Sequence, residues 1–297
     1  MEQFAMIVVL AWLGTILGSF VGAQVWRLRA YQLIEDKRDG EQYDEKQLKQ
    51  INGLARSAKT DRSECLNCHH RLAWYDLIPI VSWATLRGKC RYCRKPIGYM
   101  EPLLELGLAL TFVISYLAWP APLNQTIHLV AFVVWLVGCT LMALLFAYDA
   151  RWYLLPFSIN VALIAVGAVF AATTYLSTGV FSLEQLRSLL LAIVIMSGLY
   201  FIFSLRGYVG LGDSILGFGL ALFLGKWEYA FLALFIANLL GCFLLIPIAL
   251  KGKMRRNLHI PFGPFLILGT IITLLWGATI ISVAFTWSDA LLTMLMV

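Results

Sequence analysis

The chain has 297 residues, of which 60% are hydrophobic and 13% are charged, with a formal net charge of +6. A mean hydropathy of +0.78 and long uncharged runs exclude a soluble globular domain. The composition therefore predicts an all-α polytopic membrane protein.

Eight uncharged runs predict about eight transmembrane helices. The first, Phe4 to Trp26, has no basic residue before it and is long enough to span, so it is predicted to be a helix and not a cleavable signal. The predicted organisation is a first helix at 1–26, a cytosolic segment at 27–101 and a seven-helix membrane domain at 102–297. The runs cover about 4–26, 102–119, 127–148, 156–176, 185–205, 208–225, 229–250 and 262–285.

Basic residues predict the topology. Between Arg27 and Glu101 lie 15 of the 23 Lys and Arg residues and 10 of the 17 Asp and Glu residues, which by the positive-inside rule puts this segment in the cytosol and the N-terminus outside. Counting spans from there makes the loops 149–155, 206–212 and 251–260 cytosolic as well. Those loops contain the basic residues Arg151, Arg206, Lys251, Lys253, Arg255 and Arg256.

Glycines recur every four residues in the first span, at Gly14, Gly18 and Gly22. Such a stripe of small residues lets two helices approach closely in lipid, and helix packing is its simplest interpretation. After this span, the polar stretch Tyr31 to Ser63 is predicted to be a surface helix with flexible ends.

Two CxxC pairs follow, separated by 21 residues. Four thiolates suit tetrahedral zinc, and a reducing cytosolic location argues against disulfides. A redox dithiol and unliganded core cysteines are the alternatives. His69 and His70 could compete as ligands, but four cysteines already complete the coordination. The predicted structural zinc ligands are Cys65, Cys68, Cys90 and Cys93.

Two aspartates stand at the edges of apolar runs on the predicted cytosolic side. Asp149 ends one run, and Asp213 follows Gly210-Leu211-Gly212 at the start of another. If that helix begins near Gly207, Asp213 lies about two turns inside the membrane edge, where an ionisable group indicates function. Gly210 and Gly212 are predicted to support the site by interrupting the helix and allowing close approach.

A pair of carboxylates can hold a water between a base and an acid and hydrolyse amides without a metal. The helix directions assign Asp213, near a helix start, as the base and Asp149, at a helix end, as the acid. The alternative is that each aspartate caps a helix or pairs with an arginine such as Arg151 or Arg206.

The two aspartate motifs, Asp149 with Leu155-Pro156 and Gly210-Leu-Gly-Asp213, resemble those of the bacterial prepilin peptidases, which are GxGD-type membrane aspartic proteases. The resemblance covers nearly the whole chain. Its further motifs are Gly18-Ser19-Phe20 with Trp26-Arg27-Leu28, Ile78-Pro79, Ser82-Trp83, Leu86-Arg87-Gly88-Lys89-Cys90-Arg91, Pro96-Ile97, Pro102-Leu103-Leu104-Glu105 and Ile260-Pro261-Phe262-Gly263-Pro264-Phe265.

The resemblance implies a peptidase of the bacterial inner membrane with its active site on the cytosolic side. Its expected catalytic residues are Asp149 and Asp213, and its expected partners are type IV prepilins, type II secretion pseudopilins and membrane lipid, without nucleic acid. It also implies N-methylation of the new N-terminus with S-adenosylmethionine as methyl donor, to which no binding residue is assigned.

Two rival functions follow from the same residues. Asp149 and Asp213 could form the relay of a proton- or cation-coupled transporter, although no internal repeat is visible and neither acid lies at a span midpoint. The chain could also be a zinc-ribbon membrane scaffold without chemistry.

Overall fold

The computed structural model describes residues 1–55, 62–179, 182–207, 210–250 and 260–295. Within these residues the chain is mostly helical, with two isolated β-bridges and no strand, which confirms the predicted all-α architecture. The basic residues expected in the loop 251–260, which are Lys251, Lys253, Arg255 and Arg256, lie outside the described residues.

Among the described residues, seven helices are long and apolar enough to cross a membrane. An eighth apolar helix, Leu211–Leu224, accounts for the remaining predicted span but has only 14 residues. At 1.5 Å per residue it is about 21 Å long, shorter than a hydrocarbon core of about 30 Å. The seven candidate spans are Glu2–Asp39, Met100–Leu117, Thr126–Trp152, Phe157–Ser177, Leu183–Leu205, Trp227–Ile246 and Gly263–Thr286.

The residues divide into two compact units, Met1–Tyr116 and Leu117–Val297. The first unit contains α1 (Glu2–Asp39), α2 (Glu45–Ile51), α3 (Val81–Thr85) and α4 (Met100–Leu117). The second contains α5 (Thr126–Trp152), α6 (Phe157–Thr178), α7 (Leu183–Ile193), α8 (Leu199–Leu205), α9 (Leu211–Leu224), α10 (Trp227–Leu250) and α11 (Gly263–Leu295).

In the first unit α1 does not stop at the end of the apolar run. It continues to Asp39, because residues 27–39 contain no proline or glycine, and it ends where Gly40 adopts a left-handed conformation with φ of 77°. The predicted surface helix is thus two pieces, the end of α1 and the short α2. A small apolar core joins them, formed by Ala30, Leu33, Leu48, Ile51 and Leu54.

The glycine stripe of α1 packs against α4, as its spacing predicts. A Cβ atom on Gly14 would lie 2.5 Å from the Cα of Ala109, and one on Gly18 would lie 2.5 Å from the Cα of Glu105. Both distances are too short for any side chain, so these glycines allow the two backbones to touch.

In the second unit the short helix α9 is enclosed by other helices. Nine of its residues are buried, including Ser214, Leu216 and Phe223. Gly217 lets α9 touch the carbonyl of Met196, in a π-helical turn, Val194–Gly198, that joins α7 to α8. Because α9 is surrounded by protein over most of its surface, it can be shorter than a bilayer is thick.

Candidate active site and metal centre

Asp149 lies in the last turn of α5, which ends at Trp152 with Tyr153 in a left-handed conformation. The side chain is buried, with 5% of the residue exposed. Its Oδ2 atom accepts a hydrogen bond of 3.0 Å from the backbone N–H of Gly263 at the start of α11. The carboxylate therefore satisfies one of the amide groups that every helix leaves without a partner at its N-terminus.

Gly263 has no room for a side chain. A Cβ atom there would lie 2.7 Å from Oδ2 of Asp149. Pro264, the next residue, has no N–H, so Gly263 supplies the amide that reaches the carboxylate at this end of α11. The glycine permits this close approach of backbone to acid.

Asp213 lies in the first turn of α9, and this differs from the sequence-based prediction. The helix begins at Leu211 and not near Gly207, because Gly210 is extended, with φ of −71° and ψ of 149°. The N–H of Asp213 bonds to the carbonyl of Gly210. Asp213 is thus one turn inside its helix at most, and not two.

The structure brings the two aspartates together within the second unit. Although 64 positions apart in sequence, they are close enough for the charge of Asp213 to act on Asp149. Neither forms an ion pair with an arginine in the part of the chain that the structure describes, so the predicted alternative of pairing with Arg151 or Arg206 does not hold there. Two acids at one end of a helix bundle can share a proton and hold a water.

The two predicted support glycines differ in their surroundings. A Cβ atom on Gly212 would lie 3.0 Å from the Cβ of Leu155, so this glycine lets the Leu155-Pro156 turn pack against the start of α9. A Cβ atom on Gly210 would meet nothing closer than 3.9 Å. Only Gly212 is required by close packing.

Helix direction assigns the acid and the base only from the helix that carries each aspartate. Asp149 ends α5, where carbonyl groups point at it, but it also faces the first N–H of α11. Two helix ends of opposite polarity therefore meet at this carboxylate. The direction of α5 alone does not decide which aspartate holds the proton.

Three further residues near the dyad were not identified from the sequence. Tyr200 is buried on α8, its ring lies 5.6 Å from that of Phe262, and it is within electrostatic reach of Asp213. Ser214, next to Asp213, donates its hydroxyl to the carbonyl of Ser197 at 3.0 Å. The π-helical turn that contains Ser197 is thus tied to the start of α9, a contact without a local sequence signal.

The four predicted metal ligands meet in the first unit. Their sulfur atoms all lie within 4.8 Å of one another, and the Sγ atoms of Cys65 and Cys93 are 3.9 Å apart. A tetrahedral zinc with bonds of about 2.3 Å would hold its sulfurs about 3.8 Å apart. The cysteines therefore fit a structural metal, and neither His69 nor His70 belongs to the group.

The two CxxC pairs fold into the same turn twice. The N–H of Cys65 bonds to the carbonyl of His70, and the N–H of Cys90 bonds to that of Lys95. The fifth residue of each turn has a positive φ, 55° at His69 and 60° at Arg94. This repeated geometry directs two sulfur atoms from each turn toward a common centre.

Electrostatics within the metal segment act differently on two of the candidate ligands, since burial raises the pKa of Cys65 to about 12 whereas the pKa of Cys90 is lowered. Burial opposes ionisation of Cys90, yet hydrogen bonds from the backbone N–H groups of Cys93 and Tyr92 lower its pKa to about 7. Burial similarly opposes the charge of Asp76, but its contacts with Arg91 at 2.7 Å and with the hydroxyl of Tyr92 at 3.1 Å lower its pKa below the ordinary value. Asp76 thereby fixes the second CxxC turn through the side chains of Arg91 and Tyr92.

Comparison with known proteins gives one match to the part of the chain that contains the four cysteines and one to the part that contains the two aspartates. Residues 12–119 match the bacterial peptidase A24 N-terminal domain, and residues 136–246 match the type IV leader peptidase family. A prepilin leader peptidase/N-methyltransferase of Aeromonas hydrophila is 30% identical over 269 residues, which are 89% of this chain and 89% of the relative. The chain belongs to the type IV leader peptidase family.

Other members are similarly close. A prepilin leader peptidase/N-methyltransferase of Stutzerimonas stutzeri is 28% identical over 89% of both chains. A type 4 prepilin-like proteins leader peptide-processing enzyme of Escherichia coli O78:H11 is 28% identical over 88% of this chain and 90% of its own. No solved structure matched the chain significantly.

The family match and the apolar helices together show a multi-pass inner-membrane protein. The N-terminal match contains all four cysteines, and the leader peptidase match contains Asp149 and Asp213. Gly263 lies beyond the second match, although it contacts Asp149 directly.

Proposed function

We propose that this protein is an aspartic endopeptidase that removes the leader peptides of type IV prepilins and type II secretion pseudopilins. The observation that carries the proposal is the meeting of Asp149 and Asp213, from α5 and α9, within one helix bundle of a chain that belongs to a leader peptidase family. Nothing in the comparisons favours a transporter.

In the proposed reaction one carboxylate takes a proton from a water molecule that attacks the scissile carbonyl. The other, protonated, aspartate donates its proton to the carbonyl oxygen, which gives a tetrahedral diol. The proton taken from water then goes to the leaving amine as the C–N bond breaks, and the acid aspartate regains a proton from a diol hydroxyl. Gly263 positions Asp149 through its N–H, and Gly212 allows Leu155 to pack beside Asp213. General acid–base catalysis of this kind contributes about 10²–10⁴-fold in rate.

The proposed organisation separates the cysteine segment from the membrane domain that carries the aspartates. We place a first membrane helix at 1–26, a cytosolic segment at 27–101 and the membrane domain with the aspartates at 102–297. Basic residues in the segment and in neighbouring loops support a cytosolic active site and an outside N-terminus. A prepilin leader is then cleaved at the depth where its apolar helix enters the membrane.

Cys65, Cys68, Cys90 and Cys93 would hold one zinc ion that stabilises the cytosolic segment. Closed four-thiolate sites are structural and leave no open position for catalysis. The zinc therefore has no part in the hydrolysis.

The protein is also proposed to N-methylate the new N-terminus, because the relatives share the name N-methyltransferase. S-adenosylmethionine would supply the methyl group to the free α-amine. Methylation would then follow cleavage, which alone produces that amine.

The test is incubation of the purified full chain with a type IV prepilin, first alone and then with S-adenosylmethionine, followed by intact mass measurement. We expect loss of a leader-sized mass in the first incubation and an added methyl group in the second. An unchanged prepilin would contradict the peptidase, whereas cleavage without methylation would contradict only the second activity.

A further inference from the structure

A cavity lies at the end of the membrane unit opposite the aspartates. It has a volume of about 970 Å³ and is lined by residues from the start of α5, including His128, and from the end of α9, including Leu224. Asp149 and Asp213 lie at the other ends of these same helices. At 1.5 Å per residue, about 30 Å of α5 separates His128 from Asp149, so the cavity is distinct from the active site.

The walls of this cavity have two layers of different chemistry. Deep residues are apolar and buried, among them Phe170, Phe223 and Leu274. The mouth is charged and carries two acids and two bases, Glu184, Arg187, Lys226 and Glu228. A site with an apolar floor and a charged rim suits an amphiphile, and its volume is in the range of known ligand sites, about 300–1,000 Å³.

The four rim charges balance, and they do not pair with each other among the described residues. Lys226 lies instead over the ring of Tyr229, 5.7 Å from its centre. A rim with equal numbers of separate positive and negative groups complements a zwitterion better than an anion, since an anion would face Glu184 and Glu228 without compensation.

Trp119 provides an independent sign of a missing partner. Trp119 lines the same cavity, and its indole N–H is buried and has no hydrogen-bond acceptor among the described residues. Its ring is fixed by Phe132 at 5.0 Å and by Phe170 at 6.4 Å. A buried donor without an acceptor costs about 1–3 kcal/mol, which a ligand oxygen would recover.

We propose that this cavity binds one zwitterionic glycerophospholipid. Arg187 and Lys226 would contact its phosphodiester, Glu184 and Glu228 its ammonium group, and the aromatic floor its glycerol and upper acyl chains. The helices that line the cavity are candidate membrane spans, apart from the shorter apolar helix α9, so a bilayer lipid can enter without crossing water.

The test measures lipid binding to the delipidated full chain in detergent by native mass spectrometry. Its three probes are phosphatidylethanolamine, phosphatidylglycerol with the same acyl chains, and inorganic phosphate. We expect one phosphatidylethanolamine per chain, bound about tenfold more tightly than phosphatidylglycerol, a difference of about 1.4 kcal/mol. Equal binding of the two lipids, or displacement of lipid by inorganic phosphate, would overturn the proposal.

Paired substitutions at the rim sharpen the test. Glu184→Gln with Glu228→Gln should reverse the preference toward phosphatidylglycerol, because the rim then becomes positive. Arg187→Gln with Lys226→Gln should weaken the binding of both lipids by about tenfold or more. Unchanged binding in both pairs would contradict a site at this rim.

Matched controls carry the same charge changes at residues that do not line the cavity. Lys37→Gln with Lys46→Gln and Glu35→Gln with Glu41→Gln change exposed residues of the first unit and should leave lipid binding unchanged. Prepilin cleavage in detergent should be unaffected in every rim variant, since the rim is at the opposite end of the helices from Asp149 and Asp213. If lipid fails to bind while prepilin cleavage is intact, the lipid site is rejected and the proposed peptidase activity is not.

Discussion

The backbone N–H of Gly263 donates a hydrogen bond to Oδ2 of Asp149 across 114 positions of sequence. This contact joins the start of the last helix to the end of α5. It gives a backbone group a defined task beside a proposed catalytic acid.

Gly263→Ala should reduce kcat by about 100-fold, because a displacement near 1 Å at a reacting group has that effect. The added Cβ would lie 2.7 Å from Oδ2 of Asp149, so the carboxylate or the start of α11 must move. Gly107→Ala is the matched control, since a Cβ at Gly107 meets nothing within 4 Å. Equal activity of the two variants in a prepilin cleavage assay would show that the contact is not needed.

The two glycines of the Gly-Leu-Gly-Asp motif should differ in how well they tolerate substitution by alanine. Gly212→Ala should lower stability by about 1–3 kcal/mol and lower cleavage with it, because the new Cβ crowds Leu155. Gly210→Ala should be tolerated, since its φ of −71° suits any residue and its surroundings are open. Thermal unfolding and cleavage rates measured side by side would check this order, and a more damaging Gly210→Ala would refute it.

Replacement of Cys65 or Cys90 by serine should abolish zinc binding and loosen the segment that carries the four cysteines. Three thiolates bind zinc far more weakly than four, and the segment has little apolar core of its own. Cys242→Ser, at an exposed position in α10, is the control and should retain the metal. Elemental analysis of freshly purified reduced protein should find one zinc per chain, and its absence from the wild type would contradict the metal assignment.

Asp76→Asn should weaken zinc binding by about tenfold without removing a ligand, as do other losses of residues that orient metal ligands. Its side chain is 4% exposed and is paired with Arg91, which lies between Cys90 and Cys93. Glu45→Gln breaks an exposed pair with Lys49 and should leave zinc affinity unchanged. Competition with a chromophoric chelator would measure both, and equal affinities would show that Asp76 is not involved.

Local patterns predicted much of this arrangement. The CxxC spacing was enough to predict that the four cysteines lie together, and the glycine stripe predicted close packing of α1 against another helix, because each depends on residues close in sequence. The extension of α1 to Asp39 was missed since polar helices have no hydropathy signal. The start of α9 was misplaced because extended glycine at Gly210 cannot be distinguished from a helical one by sequence alone.

Contacts between residues far apart in the chain could not be predicted from the sequence. The motif that contains Gly263 was recognised through a family resemblance, but its hydrogen bond to Asp149 depends on how α11 enters the bundle. The π-helical turn at Val194–Gly198 and its contact with Ser214 likewise follow from packing. These contacts also changed the argument about which aspartate holds the proton, because a second helix end reaches Asp149.

The most direct test of the account is the rate of prepilin cleavage by Asp149→Asn and Asp213→Asn, with exposed Asp39→Asn as control. Asparagine is nearly isosteric with aspartate but cannot exchange a proton with water, so each dyad variant should lose roughly 10³-fold or more in rate while it folds normally. The control should cleave like the wild type. Near wild-type cleavage by either dyad variant would contradict catalysis by the two aspartates.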